Sequence, residues 1–136
     1  MNEIFDYPAY GDRKHPVTVR VSCYQEPPNL YVGLVCAGED DCGEPYDDIT
    51  ANFDLTMPPY CAAIRNYSSG ENNVDFLLDN GFGELTGQAI QSGYATLPVF
   101  LFCKEKLRVL DPSGCERYEK SSGHHKDDAK NSREEI

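Results

Sequence analysis

Residues 72–102, NNVDFLLDNGFGELTGQAIQSGYATLPVFLF, carry the strongest structural signals in this 136-residue chain. The stretch begins with an apolar stripe at helical spacing, formed by Val74, Leu77 and Leu78. Asn80-Gly81 is a typical helix end, because glycine readily adopts the left-handed conformation. Further glycines indicate a connector, and the run from Tyr94 to Cys103 is apolar on both alternating faces, as in a buried strand. The stretch therefore predicts a helix, a connector and a strand.

Four segments before this stretch have the composition of strands. Residues 17–24, 30–36 and 49–55 alternate or are rich in β-branched side chains, and residues 60–65 favour a short strand over a helix. Turn formers separate them, which favours antiparallel neighbours. Residues 104–110 fit either a helical turn or an edge strand. The sequence predicts an α+β fold, with an antiparallel sheet of four to five strands and one main helix packed on it.

Composition divides the chain into three parts. Residues 1–15 predict an irregular lead-in, and residues 16–111 predict a single α+β domain of ordinary size. Residues 112–136 contain almost no large aliphatic side chain before Ile136 and mix charges of both signs. Such a segment buries too little apolar surface to fold alone, so it predicts a disordered charged tail.

The net charge of −11 limits the possible partners. Up to Asp111 the chain has 17 acidic and 7 basic side chains, a balance of −10, so the excess lies on the folded part. An anionic body repels a phosphate backbone, which disfavours direct binding of DNA or RNA. The same charge suits a cationic protein partner. Solubility alone is the alternative explanation.

The sequence predicts a cytoplasmic protein. The longest apolar run, Leu97 to Cys103, is far too short to span a membrane. The first residues are acidic and lack the apolar core of a signal peptide. Without export, we expect the six cysteines to be reduced thiols.

Signals for catalysis and for cofactors are weak. His15 is the one histidine before the tail, so a cysteine–histidine pair has few possible members. No C-x-x-C pair occurs, and the acidic segment fails the D-x-D-x-D-G pattern of a calcium loop. We therefore expect no catalytic residue, no metal site and no cofactor, although opportunistic binding of divalent cations by the acidic loop stays open.

The polar loop at 37–48 is the first candidate for a binding surface. It is dense in carboxylates, and tyrosine among acids suits recognition of a basic protein because its ring packs while its hydroxyl stays hydrated. The predicted partner-binding residues are Glu39, Asp40, Asp41, Glu44, Tyr46, Asp47 and Asp48, with Tyr46 as a packing anchor.

A small-ligand pocket is the alternative, either in a ligand-binding domain or in a small enzyme. The connector offers hydrogen-bonding side chains without a titrating base, which suits binding more than catalysis. The predicted ligand-binding residues are Thr86, Gln88, Gln91, Ser92 and Tyr94.

Four segments carry a family resemblance: YVGLVC at 31–36, GEPYDDITAN at 43–52, NNVDFLLDNG at 72–81 and TGQAIQSGYATLPVFLF at 86–102. Their order resembles a domain-of-unknown-function family of small acidic proteins from Gram-positive gut bacteria and their conjugative or other mobile elements. The resemblance covers about residues 16–110, and Leu97 stands where that family more usually has an aromatic residue. The family offers no catalytic residues to transfer.

What the resemblance implies is a context, that of a cytoplasmic accessory protein of a mobile element. In that context an acidic domain suits a counter-defence inhibitor that occupies the basic nucleic-acid-binding surface of a restriction or CRISPR nuclease. A role in transfer or regulation of the element, through a partner unrelated to charge, is a further alternative.

Overall fold

The computed structural model of the chain describes residues 3–8, 14–25, 27–38, 43–53, 55–66 and 72–122. Within these ranges it contains eight strands, arranged as two antiparallel four-stranded sheets, and three helices. The predicted α+β class and antiparallel pairing are confirmed. The prediction of a single sheet with one main helix does not match this architecture.

The first sheet contains, in spatial order, β1 (Phe5–Pro8), β2 (Lys14–Cys23), β3 (Leu30–Cys36) and β4 (Pro45–Asp48). On β2, Val17, Val19 and Val21 are buried and the residues between them face outward, as strand periodicity requires. Part of the predicted irregular lead-in is therefore strand, because Phe5 and Tyr7 alternate into the core.

The second sheet contains, in spatial order, β5 (Thr50–Ala51), β6 (Cys61–Ile64), β8 (Ala95–Phe102) and β7 (Gly83–Ser92). The predicted strand at 49–55 is divided, because the chain passes from one sheet to the other at the fully buried Ile49. The backbone N–H of Ile49 donates to Val32 in the first sheet, and its carbonyl accepts from Arg65 at the end of β6, both at 2.9 Å. This crossing replaces one continuous sheet by two.

One hydrophobic cluster joins the two sheets. It combines the inward residues of the first sheet with Ala62, Ile64, Phe100 and Phe102 of the second. Helical side chains complete it, so the sheets and helices form one folded unit around a shared core.

Helix α1 (Asn73–Asp79) begins directly after Asn72, whose side chain makes no capping hydrogen bond. Phe76 and Leu77 are buried while Leu78 is 42% exposed, so the buried stripe is shifted from the predicted one. Gly81, at φ 72°, ends the helix as predicted. Its N–H bonds Leu78 at 3.2 Å, while Phe82 bonds Leu77 at 2.9 Å, which is the Schellman arrangement.

The predicted connector after α1 is strand β7, which pairs with β8 as a hairpin. Ser92 and Ala95 flank a two-residue turn in which Gly93 has φ 61°. Glycine with positive φ at the first turn position is typical of a type II′ turn. The glycines therefore shape a hairpin and not an irregular loop.

The chain ends in two helices where one short element and a disordered tail are predicted. Helices α2 (Lys104–Leu110) and α3 (Pro112–Ser122) are joined at Asp111. The Asp111 carboxylate accepts the N–H of Gly114 at 3.1 Å, which starts α3, and the N–H of Val21 at 2.9 Å, which ties α3 to β2. Residues 112–122 thus belong to the folded domain, while residues 123–136 of the predicted tail lie outside the described ranges. None of the described helices combines the length and the apolar character that a membrane span requires.

Candidate partner-binding surface

The predicted acidic surface centres on β4, an outer strand of the first sheet. Glu44, Tyr46, Asp47 and Asp48 lie on or beside this strand, whereas residues 39–41, with Glu39, Asp40 and Asp41, lie outside the described ranges. The register of β4 on β3 shifts at Tyr46: Asp47 pairs with Leu34, and Pro45 pairs with Val35. Because of this shift, Glu44, Tyr46, Asp47 and Asp48 do not simply alternate between the two faces of the sheet, and each makes different contacts.

Asp47 forms an ion pair with Arg65. Its Oδ1 lies 2.7 Å from Nη1 of Arg65, and the two side chains are only 17% and 18% exposed. The same Nη1 donates to the backbone carbonyl of Asp48 at 2.6 Å. The guanidinium therefore joins β4 of the first sheet to the end of β6 in the second, and it neutralises the Asp47 carboxylate.

Asp48 is exposed, and it accepts a hydrogen bond from the hydroxyl of Tyr31 at 2.6 Å. The Tyr31 ring lies over Gly33, where an added Cβ would come within 2.1 Å of the hydroxyl oxygen. Burial raises the pKa of Tyr31, and the bond to Asp48 raises it further. The Tyr31 hydroxyl thus holds the exposed Asp48 carboxylate in one orientation.

Tyr46 is engaged inside the protein. Its ring stacks on His15 with centroids 4.5 Å apart and meets the edge of Tyr7 at 5.7 Å. It is half-buried and packs against the main core. Burial, followed by the nearby Asp47, raises the pKa of its hydroxyl. These contacts make Tyr46 a support for β4, and its use as an anchor for a partner stays a prediction.

The charges along the chain are strongly segregated. From Val21 to Cys103 the sequence contains twelve acidic residues and a single basic one, Arg65. That base is already paired with Asp47. Exposed carboxylates of this stretch within the described ranges are Glu44, Asp48, Asp75, Asp79 and Glu84. The stretch therefore presents negative charge with no exposed basic residue among the described ones.

Five of the eight basic residues in the described ranges lie on the two C-terminal helices (Lys104, Lys106, Arg108, Arg117 and Lys120), while Lys14 and Arg20 are exposed on β2. Several of those on the helices are held in place. Lys106 donates to the carbonyl of Asn80 at 2.5 Å and lies over the rings of Phe5 and Phe82. Arg108 pairs with the carboxylate of Glu119. The two C-terminal helices therefore carry charges of both signs, while the stretch from Val21 to Cys103 is almost entirely acidic.

The residues of the predicted ligand pocket lie on the β7–β8 hairpin. Thr86, Gln88, Gln91 and Ser92 belong to the exposed strand β7, and Tyr94 in the turn is fully exposed. An open depression of ≈ 630 Å³ is lined by Asn66, Ser92, Tyr94, Ala95 and Thr96. Thus two of the five predicted residues lie at this depression. The Thr86 hydroxyl instead bonds the Val99 carbonyl at 3.0 Å, and the Gln91 amide oxygen accepts from Thr96 at 2.9 Å.

A buried polar cluster that the sequence does not predict joins the inner face of α3 to Tyr60. Tyr60 has φ 60°, rare for a non-glycine residue, and its N–H donates to the Tyr118 hydroxyl at 3.0 Å. The Tyr60 hydroxyl donates to Glu119 at 2.5 Å. Burial raises the pKa of Cys115 to about 11 and that of Tyr118 to about 12. The hydrogen bonds between Tyr60 and the two α3 residues Tyr118 and Glu119 hold α3 against the strands.

Metal ligands do not gather in the described part of the chain, where no group of three or more histidine, cysteine, aspartate or glutamate residues is placed to hold an ion. The five cysteines of that part are free, and Cys103 is the exposed one.

Comparison with known proteins gives one match. The model of the family described as Domain of unknown function (DUF4313) matches residues 18–122, from β2 to the end of α3. No curated protein and no solved structure matches the chain.

Proposed function

The chain belongs to the DUF4313 family, and from its charge distribution we propose that it is a non-enzymatic accessory protein that binds a cationic protein partner. The observation that carries this proposal is the single basic residue among twelve acidic ones between Val21 and Cys103, already paired with Asp47. An approaching cationic surface meets an excess of carboxylates there, and the exposed cation of the same sheet in register with Asp48 is Arg20 on β2.

The contact is centred on the exposed carboxylates around β4. Glu44 and Asp48 supply charge, and the adjacent acidic residues Glu39, Asp40 and Asp41 extend it along the chain. The bond from Tyr31 orients Asp48, which lowers the entropy that binding must remove. Asp47 and Tyr46 contribute indirectly, because their contacts with Arg65 and His15 hold the strand.

The partner we propose is the basic nucleic-acid-binding surface of a host defence nuclease of the restriction or CRISPR type. Such surfaces bind phosphates through lysine and arginine, and a fixed group of carboxylates competes for the same cations. In this role the protein serves a mobile element as a counter-defence inhibitor. The dense negative charge supports the role, since it excludes the nucleic acid itself as the partner.

Competition with DNA tests the proposal directly. A purified nuclease of either type is titrated with the protein while its binding to labelled DNA is followed at about 0.1 M and about 1 M salt. Over this range the Debye length falls from about 10 Å to about 3 Å, so the inhibition is expected to be strong at low salt and lost at high salt. Immobilised protein incubated with a host lysate identifies the nuclease to be purified.

Charge-neutral variants locate the surface. The double variant Glu44→Gln with Asp48→Asn keeps side-chain shape and the acceptor for Tyr31, and we expect it to weaken inhibition roughly tenfold. Its matched control is Asp75→Asn with Asp79→Asn on α1, which removes the same charge from exposed residues elsewhere. Equal weakening by both variants, or inhibition that salt does not affect, would contradict the proposal.

A further inference from the structure

Strand β7 is a long edge strand with an open side. It stands last in the second sheet, and among the strands that the structure describes it pairs with β8 alone. Eight of its ten residues, from Gly83 to Ser92, are exposed. Its outer backbone groups are therefore available to another strand, which is the usual way that sheet edges associate.

This edge lacks the usual protection against pairing. Natural edge strands carry lysine, other charges or proline, which discourage contact with a second strand. Charged residues make up 26% of the chain, yet none occurs from Leu85 to Cys103, and β7 contains no proline. After Glu84, near the start of β7, the exposed side chains are uncharged, and Leu85, at 44% exposure, adds apolar surface.

The regular part of the edge is its second half. Between Leu85 and Ala89 the pairing with β8 shifts, and Thr86 closes this bulge by bonding the carbonyl of Val99. From Ala89 to Ser92 the pairing is continuous. Residues flanking a two-residue turn exchange both hydrogen bonds, so Ser92 and Ile90 use their backbone groups on β8. The backbone groups of Ala89 and Gln91 consequently face outward.

We propose that this edge, Ala89 to Ser92 of β7, pairs with the same edge of a second copy of the chain. The distribution of charge favours a second copy of the chain over a cationic protein as the partner of this edge. Two bodies of net charge −11 repel each other, and the uncharged hairpin is where they approach at the lowest electrostatic cost. A cationic partner finds no carboxylate on this edge, so the edge is distinct from the acidic surface around β4.

The two-fold arrangement follows from the outward groups. Antiparallel pairing of Ala89 with Gln91 of the second copy uses both open residues of both copies, as an isologous contact requires. It places the two Ile90 side chains opposite each other in the closely spaced type of pair, where side chains pack best. The two second sheets then become one continuous eight-stranded sheet.

Mass measurement across concentration and salt tests the inference. We expect analytical ultracentrifugation to show a dimer of twice 15.2 kDa that strengthens as salt rises, because salt screens the repulsion between the two acidic bodies. Binding of the proposed cationic partner at β4 is expected to weaken as salt rises. Because the two salt dependences are opposite and are measured in different experiments, either proposal can fail without the other. A protein that stays monomeric at all concentrations and salts would overturn the dimer.

Three variants at one position show whether β7 is the contact. Gln91→Pro removes an outward N–H, which an edge strand tolerates, and is expected to give a monomer. Gln91→Glu and Gln91→Lys are each expected to dimerise severalfold more weakly, because the two like charges lie diagonally across the contact, each opposite Ala89 of the other copy, and to form a mixed dimer when combined. Circular dichroism confirms folding, and Ser121→Lys on the exposed side of α3 is the matched control. The assignment of β7 as the contact would be refuted if the charged variants dimerise as well as the original protein. It would also be refuted if mixing the two charged variants does not restore dimer formation.

Discussion

Oδ1 of Asp47 lies 2.7 Å from Nη1 of Arg65, and this pair joins the two sheets of the protein. The pair uses the one basic side chain present between Val21 and Cys103. Two consequences follow from it. Asp47 serves stability, and its exposed neighbour Asp48 is left to supply charge to the partner we propose.

Alanine substitutions of the neighbours Asp47 and Asp48 are expected to separate stability from binding. Asp47→Ala leaves a mostly buried guanidinium without its carboxylate, and we expect a loss of about 2 kcal/mol in the free energy of unfolding, below the ~3–5 kcal/mol of a fully buried pair. Asp48→Ala is expected to change stability by less than about 1 kcal/mol while it weakens partner binding. Urea unfolding and the DNA competition measure the two effects. Equal stability losses would contradict this division.

Gly114→Ala tests the close packing of α3 on β2. An alanine Cβ at this position would lie 2.0 Å from the carbonyl oxygen of Val21, so the helix must move outward. Helix propensity alone favours alanine by about 1 kcal/mol, so only the contact predicts a loss, of about 2 kcal/mol or more. The exposed neighbour Ser113 provides the control, since Ser113→Ala should be neutral or slightly stabilising. A stabilised Gly114→Ala would show that the helix is not in close contact there.

Local signals explain which parts of the fold were predictable. The alternation of β2 and the glycine end of α1 depend on neighbouring residues alone, and both were predicted from the sequence. Asp111-Pro112 is also a local signal, since aspartate favours the N-cap and proline the first helical position. Because no clear apolar stripe follows it, the sequence predicts the end of the domain there instead of a helix. Strand β7 has exposed side chains on both faces, so no alternation marks it as a strand.

Tertiary placement explains what was not predictable. The alternation at 49–55 is uninterrupted in the sequence, and only the three-dimensional fold shows that Ile49 passes between two sheets. The acidic residues of the candidate surface were visible, but their roles depend on Arg65, which lies 18 positions away from Asp47. Nothing local marks Tyr60 for a left-handed conformation, because the hydroxyl that binds its N–H comes from Tyr118.

Tyr118→Phe is expected to loosen α3 by removing that acceptor. The N–H of Tyr60 is buried, and leaving such a donor without its partner costs about 1–3 kcal/mol. The expected result is a lower urea midpoint with an unchanged slope. Tyr94→Phe, in the fully exposed turn, is the control and should leave the midpoint unchanged. A similar midpoint for both variants would show that the Tyr118 hydroxyl contributes nothing.

Alkaline pH is expected to destabilise the protein through the groups beneath α3. Burial raises the pKa of Cys115 to about 11, above the ordinary cysteine pKa of about 8.5, so the folded state holds a proton that the unfolded state releases. This contribution is complete below about pH 8.5 and is lost progressively as the pH rises toward about 11. Urea unfolding between these values measures the decline, which Cys115→Ala should make shallower. Cys103→Ala, at the exposed cysteine, should leave the decline unchanged. A decline that Cys115→Ala leaves equally steep would place the alkaline sensitivity outside this cluster.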